Sequence, residues 1–172
     1  MAEVSLITIT DVQAYRKIDP KFNQAKFDAF VRDIQRKNLR SLLGSALYYA
    51  FMNDDRTSGV YADLLNGKVY EYQGETIEYY GLKPYLCFLW LSIAAREGDL
   101  FLTNYGSVQF VNNQQQSFET AKEKEKIAAG YMETAQGYEN DVIKFLNENS
   151  SDFPLWEGDT EKSTTQFVTF KI

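Results

Sequence analysis

The sequence predicts a mainly α protein: a small helical bundle with a long C-terminal helix, one small β-hairpin and an extended C-terminal arm. Three observations carry this expectation. Apolar residues recur at three- and four-residue spacings over Phe22–Leu43 and again over roughly residues 116–147. The run "PYLCFLWLSIAA" is apolar nearly all round, which marks a central core helix. Alternation of the strand kind is confined to two main places, Val69–Tyr79 and the terminal "TTQFVTFKI". At 172 residues the expected organisation is one helical domain over residues 1–156 and an arm over 157–172.

Each element has its own warrant. "SLITITDVQAYRKIDPKF" reads as an extended lead-in and a short helix, with Thr10 as N-cap and Asp11 in the first turn. Asp19-Pro20 marks a second helix start, with Asp as cap and Pro at the first helical position. From Lys21 onward Phe22, Phe27, Phe30, Val31, Ile34, Leu39, Leu42 and Leu43 form an apolar seam. Lys26, Asp28, Arg32, Asp33, Gln35, Arg36 and Arg40 are assigned to the opposite, polar face. Gly44 is a stop or kink, "SALYYAFMND" a further helical piece, "DDRTSG" a turn and "VYADLLNG" a short helix.

"KVYEYQGETIEYYG" breaks the helical rhythm and predicts a hairpin over about residues 68–80, with Gly74 at its middle. The central helix follows and ends at Arg96–Gly98. "LFLTNYGSVQFVNNQQQSFETA" is irregular, with a turn at Asn104–Ser107 and a brief extended "VQFV". The longest helix is expected from about Gln116 to Asn147. Its seam is Phe118, Ala121, Ala128, Met132, Ala135, Val142 and Leu146, flanked by Tyr131, Tyr138 and Phe145 and interrupted by Glu125 and Glu139. Pro154, Leu155 and Trp156 are expected to clamp the exit of that helix onto the body.

Composition narrows the chemistry. Histidine is absent, which removes imidazole acid–base catalysis, Ser-His-Asp and Cys-His nucleophiles and HExxH zinc sites. The single cysteine, Cys87, permits no intramolecular disulfide and no cysteine-based zinc site, and its apolar surroundings predict an inert buried thiol. Neither a GxxxxGK[ST] nor a GxGxxG phosphate loop is present, and "NDDRTSG" reads as a loop cap, not an EF-hand. Asp54/Asp55, Glu75/Glu78 and Glu97/Asp99 are close carboxylates, but no spacing singles out a catalytic pair. A formal charge of −6 argues against a phosphate-gripping surface. The local basic run Arg32, Arg36, Lys37, Arg40 reads as the solvated face of a helix. "MAEVSLITITD" lacks the basic region of a secretory signal, and the apolar run Pro84–Ala95 is shorter than the roughly 18–20 residues of a membrane span. The expectation is a soluble, non-enzymatic protein made in a cytoplasm, with no catalytic, metal or cofactor site and no membrane partner.

The layout resembles the head–tail connector (adaptor, or head-completion) proteins of tailed bacteriophages, including those of phages of Bacteroides and relatives. The resemblance is carried by "LITITDVQAYRKID…FDAFVRDIQRKNLRSLLG", by "LKPYLCFLWLSIAA", by "LTNYGSVQFVNNQQQSFETAKEKEK" and by the exit "FLNENSSDFPLW". These cover most of Leu6–Trp156. It implies a structural virion protein in the neck: a ring of identical subunits, usually a dodecamer, between portal and tail. Its partners would be further copies of itself, the portal protein and a downstream neck or tail protein. Double-stranded DNA would pass through the lumen without specific binding. The Val69–Tyr79 hairpin and the tail from Glu157 to Ile172 depart from the simplest members and leave the ring position open.

Extended segments with exposed apolar alternation suit contacts between subunits, since they can add to a neighbour's sheet edge. The expected interface residues are therefore Tyr105, Val108, Phe110, Val111, Pro154, Leu155, Trp156, Phe167, Val168, Phe170 and Ile172. Two other classes compete: a soluble helical binding or regulatory module acting on a host or phage protein, and a carboxylate-dependent hydrolase.

Overall fold

The computed structural model describes residues 4–18, 22–97 and 121–158. Helices dominate. The elements run α1 (Ile9–Tyr15), α2 (Gln24–Ile34), a π-helical turn (Gln35–Leu39), α3 (Arg40–Leu43), α4 (Ser45–Asn53) and α5 (Gly59–Asn66). The antiparallel pair β1 (Lys68–Tyr72) and β2 (Glu75–Tyr79) follows, then α6 (Leu82–Glu97) and the long α7 (Ala121–Glu148).

Two helix starts differ from the sequence expectation. The cap of α1 is Thr8, not Thr10: Asp11 N–H donates to Thr8 Oγ1 at 3.2 Å while Thr8 N–H donates to Asp11 Oδ2 at 2.7 Å. That reciprocal box requires Asp11 three residues after the cap, which only Thr8 satisfies. Helix α2 is capped by Asn23, whose Oδ1 accepts from Lys26 N–H at 3.0 Å. Asp19 and Pro20 lie outside the described residues.

The long helix from α2 to α3 is interrupted where the apolar seam jumps five residues, from Ile34 to Leu39. The π turn absorbs that extra residue and brings Gln35 to the inner face, where it is fully buried. Gln35 therefore does not belong to the polar face. Its Oε1 accepts from Leu6 N–H at 2.8 Å, and its Nε2 donates to Val4 O at 3.1 Å. One buried amide thus holds the extended lead-in across the helix and satisfies backbone groups that would otherwise be costly to bury.

The hairpin has the expected place and a two-residue loop, Gln73–Gly74, between the paired Tyr72 and Glu75. Both loop residues have positive φ, 53° and 84°, the geometry of the tight turns that match strand twist. At its base Gly67 and Gly81 lie backbone to backbone. A Cβ on Gly67 would stand 2.3 Å from Tyr79 O, and one on Gly81 would stand 2.6 Å from Gly67 N. Both have φ near +90°, so the crossing of the α5–β1 and β2–α6 junctions is built for glycine on conformational and steric grounds.

Helix α6 is the axis of the core, with Leu82, Leu86, Cys87, Leu89, Trp90, Leu91 and Ala94 among its buried residues. It packs most extensively on α7, where Ala128, Ala135, Val142 and Leu146 of the expected seam are buried, Met132 is half-buried and the flanking Phe145 is buried beside them. Small residues at 128 and 135 let the two helices approach, and the larger ones fill the end nearer the hairpin. Phe118 lies outside the described residues, and so does the Ala121 side chain. Lys83 reaches Asp11 at 3.7 Å, fastening α1 to α6.

Burial, with the Asp11 carboxylate as the second cause, pushes the Cys87 thiol up to about 12. An unfolded chain loses this proton near pH 8.5, so the folded state binds more protons above that pH. The stability contributed by the neutral thiol is complete below about pH 8.5 and is lost as the pH rises towards 12. Tyr85 and Tyr79 are raised mainly by burial and act in the same direction at higher pH. The expected result is a melting temperature that falls from about pH 9 upward, with the early part of the fall flattened in Cys87→Ala. In the folded protein a thiol reagent should label Cys87 at the rate of unfolding, not at that of a free thiol.

Candidate interaction surface

The π turn, α3 and α4, with the loop after α4, wall an open groove of about 1050 Å³. Val4, Arg36, Arg40, Tyr48, Tyr49 and Met52 line one part, and Asn53 to Arg56 the rest. Arg40 lies 5.3 Å from the Tyr49 ring centre and its Nε donates to Ser45 Oγ at 3.3 Å. Arg56 lies 5.5 Å from the Phe51 ring centre, and its Nη1 donates to Phe51 O at 2.6 Å. Asp54 Oδ1 accepts from Arg56 N–H at 2.7 Å, and Asp55 Oδ1 accepts from Thr57 N–H at 3.0 Å. That bond, with a second from the Thr57 hydroxyl at 3.0 Å, holds the Asp55 carboxyl below its usual range. "NDDRTSG" is thus a self-capped loop, and its arginine lines the same groove as Arg36 and Arg40.

The basic run is a solvated face, and two of its members, the exposed Arg36 and Arg40, border a recess with aromatic walls. Sequence reasoning missed Arg56, because it joins the others only through tertiary packing. A cation stacked on an aromatic face next to a recess suits contact with an acidic or aromatic partner segment.

The hairpin is opposite in charge. Glu71, Glu75 and Glu78 are exposed, while Lys68 is engaged with Asp63 at 3.1 Å. Its stem is rigidly mounted. Tyr79 stacks on Phe145 with ring centres 4.0 Å apart and donates to Leu64 O at 3.0 Å. Tyr70 donates to Glu148, and burial together with that bond raises the phenol above its ordinary range. Tyr80 donates to Glu78 at 3.2 Å, and the nearby Glu78 charge raises its phenol.

The large apolar side chains that remain exposed among the described residues are concentrated on these two surfaces. Val4 (59%) and Tyr49 (52%) border the groove, and Val69 (62%) and Tyr80 (55%) belong to the hairpin region. Leu155 (42%) is at the exit of α7.

The exit itself is held differently from the expected clamp. Phe153, not named by the sequence reading, is the buried anchor and meets Phe145 at 5.8 Å and Tyr61 at 6.3 Å. Trp156 packs beside the core and its Nε1 donates to Asn147 Oδ1 at 2.8 Å. Pro154 and Leu155 are exposed and do no clamping, because the turn from Phe153 to Trp156 points them outward. Tyr105, Val108, Phe110, Val111, Phe167, Val168, Phe170 and Ile172 lie outside the described residues. Among the described residues no helix is long and apolar enough to cross a membrane. No group of three or more Asp, Glu or Cys among them is placed to hold a metal ion.

Residues 39–166 match the model of DUF6712, a family of unknown function. No curated protein and no solved structure matches the chain.

Proposed function

The chain belongs to the DUF6712 family, whose function is unknown, and from that premise we propose that it is a structural virion protein, a subunit of a ring between portal and tail. In that role it extends the DNA channel and docks neck or tail components. The observation that carries the reading is the concentration of exposed apolar side chains on two surfaces of opposite charge. A closed ring is built from heterologous, head-to-tail contacts, and such contacts need two unlike complementary patches on every copy. The order of elements also supports it: a short capped helix, a long helix, an apolar central helix and a 28-residue helix follow the layout on which the resemblance to connectors rests. A net charge of −6 suits a channel wall that must let phosphates slide.

The runner-up is a soluble helical module that binds an acidic segment of a host or phage protein. The arginine groove is the observation in its favour.

The arm from Glu157 to Ile172 is the proposed tether, adding as a strand to another subunit or neck partner. A chain truncated after Trp156 should melt as the full chain does but fail to form rings on its portal in negative-stain images. Normal rings from the truncated chain overturn the role of the arm. A regulator should be absent from purified particles, and its absence there would favour the runner-up.

A further inference from the structure

We propose that the β1–β2 hairpin of one copy docks in the Arg36–Arg40–Arg56 groove of the next copy. This rests on the reading that the chain self-assembles, and names the contact through which it does so. Three observations converge. The first is charge. Three arginines, Arg36, Arg40 and Arg56, line the groove against two aspartates, Asp54 and Asp55, so its charge balance is positive. The hairpin carries exposed Glu71, Glu75 and Glu78, and its Lys68 is engaged with Asp63. Complementary potentials of this kind steer encounter and fix register.

The second is the apolar match. Val4 and Tyr49 border the groove, and Val69 and Tyr80 lie in the hairpin region. Each surface therefore offers apolar area to bury inside a charged rim, the usual anatomy of an interface. The third is rigidity and size. The hairpin stem is fixed by Phe145, Glu148 and the Leu64 carbonyl, so docking it orders few side chains. A groove of about 1050 Å³ is at the upper end of small-ligand pockets, which span roughly 300–1,000 Å³. It therefore has room for a turn of polypeptide. No groove-lining residue belongs to the hairpin. The contact is thus heterologous: each copy offers a groove to one neighbour and a hairpin to the other, and the chain of contacts closes into a ring or runs on as a filament.

The test uses two full-length variants, Arg36→Glu/Arg40→Glu and Glu75→Lys/Glu78→Lys. All four positions are exposed, so both variants should melt as the unaltered chain does. Association is measured by sedimentation equilibrium over a range of protein and salt concentrations. The unaltered chain should associate, and less so at high salt. Each variant alone faces like charge at the contact and should associate at least about tenfold more weakly. An equimolar mixture should recover association, because the reversed groove of one meets the reversed hairpin of the other and the unaltered surfaces still pair. The inference is overturned if the variants associate as the unaltered chain does, if mixing restores nothing, or if the unaltered chain stays monomeric throughout. The virion reading fails separately, if the chain is absent from purified particles.

Discussion

Trp90→Ala is expected to lower stability by about 3–5 kcal/mol, the range for emptying a buried aromatic site. Trp90 lies fully buried at the middle of α6, with Phe22 at 5.1 Å, Phe27 at 5.0 Å and Phe30 at 6.4 Å between ring centres. These rings join α2 and its lead-in to the central helix. Removing the indole leaves a cavity that the three surrounding rings, fixed on α2 and its lead-in, cannot collapse to fill. Natural domains are stable by only about 5–15 kcal/mol, so the variant should be partly unfolded near 37 °C. Urea unfolding followed by far-ultraviolet circular dichroism measures the loss. Trp90→Phe is the informative companion. The indole N–H has no partner among the described residues, so phenylalanine retains most of the packing and deletes an unpaired donor. Its cost should be clearly smaller than that of Trp90→Ala, because a ring still fills most of the site and the residual cavity is smaller. An equal loss in both variants would contradict this packing account.

Gly67→Ala should cost about 3 kcal/mol or more, combining a glycine-only backbone with overpacking. Gly67 has φ 91° and ψ 164°. Its added Cβ would meet Tyr79 O at 2.3 Å and Tyr80 C at 2.8 Å, both backbone atoms that move only if the hairpin moves. The strain should therefore appear as displacement of the hairpin from α7 and loss of the Tyr79–Phe145 stack. Hydrogen exchange should show faster exchange in β1 and β2, with α6 less affected. Gly137→Ala is the matched control. It lies in α7 with nothing within 4 Å of the new Cβ, and helix propensity favours alanine there by about 0.5–1 kcal/mol. If the two alanines have similar effects, the hairpin crossing is not the constraint described.

The elements that could be read from the sequence are those whose signal is local. The 84–95 run is apolar all round because α6 is buried all round, and alternation with a central glycine revealed the hairpin because its two-residue loop leaves both strands intact. Cys87 and Trp90 were placed in the core on the same grounds. The errors arose where one residue type could serve at two positions. Thr8 and Thr10 both precede Asp11, and only the reciprocal hydrogen bonds select Thr8. A uniformly α helix puts Gln35 on the polar face, and the five-residue gap between Ile34 and Leu39 is the legible sign of the π turn that brings it inward. The groove was out of reach: Arg36, Arg40 and Arg56 are brought together by packing, and each is locally an ordinary surface arginine.

The most direct test of the proposed role is quantitative mass spectrometry of purified virus particles, with negative-stain imaging of the isolated necks. The account predicts the chain in every preparation at a fixed ratio to the portal, as a closed ring requires. It also predicts loss of the chain together with the neck when heads and tails are separated from it. Particles of full infectivity that contain no copy of the chain would contradict it.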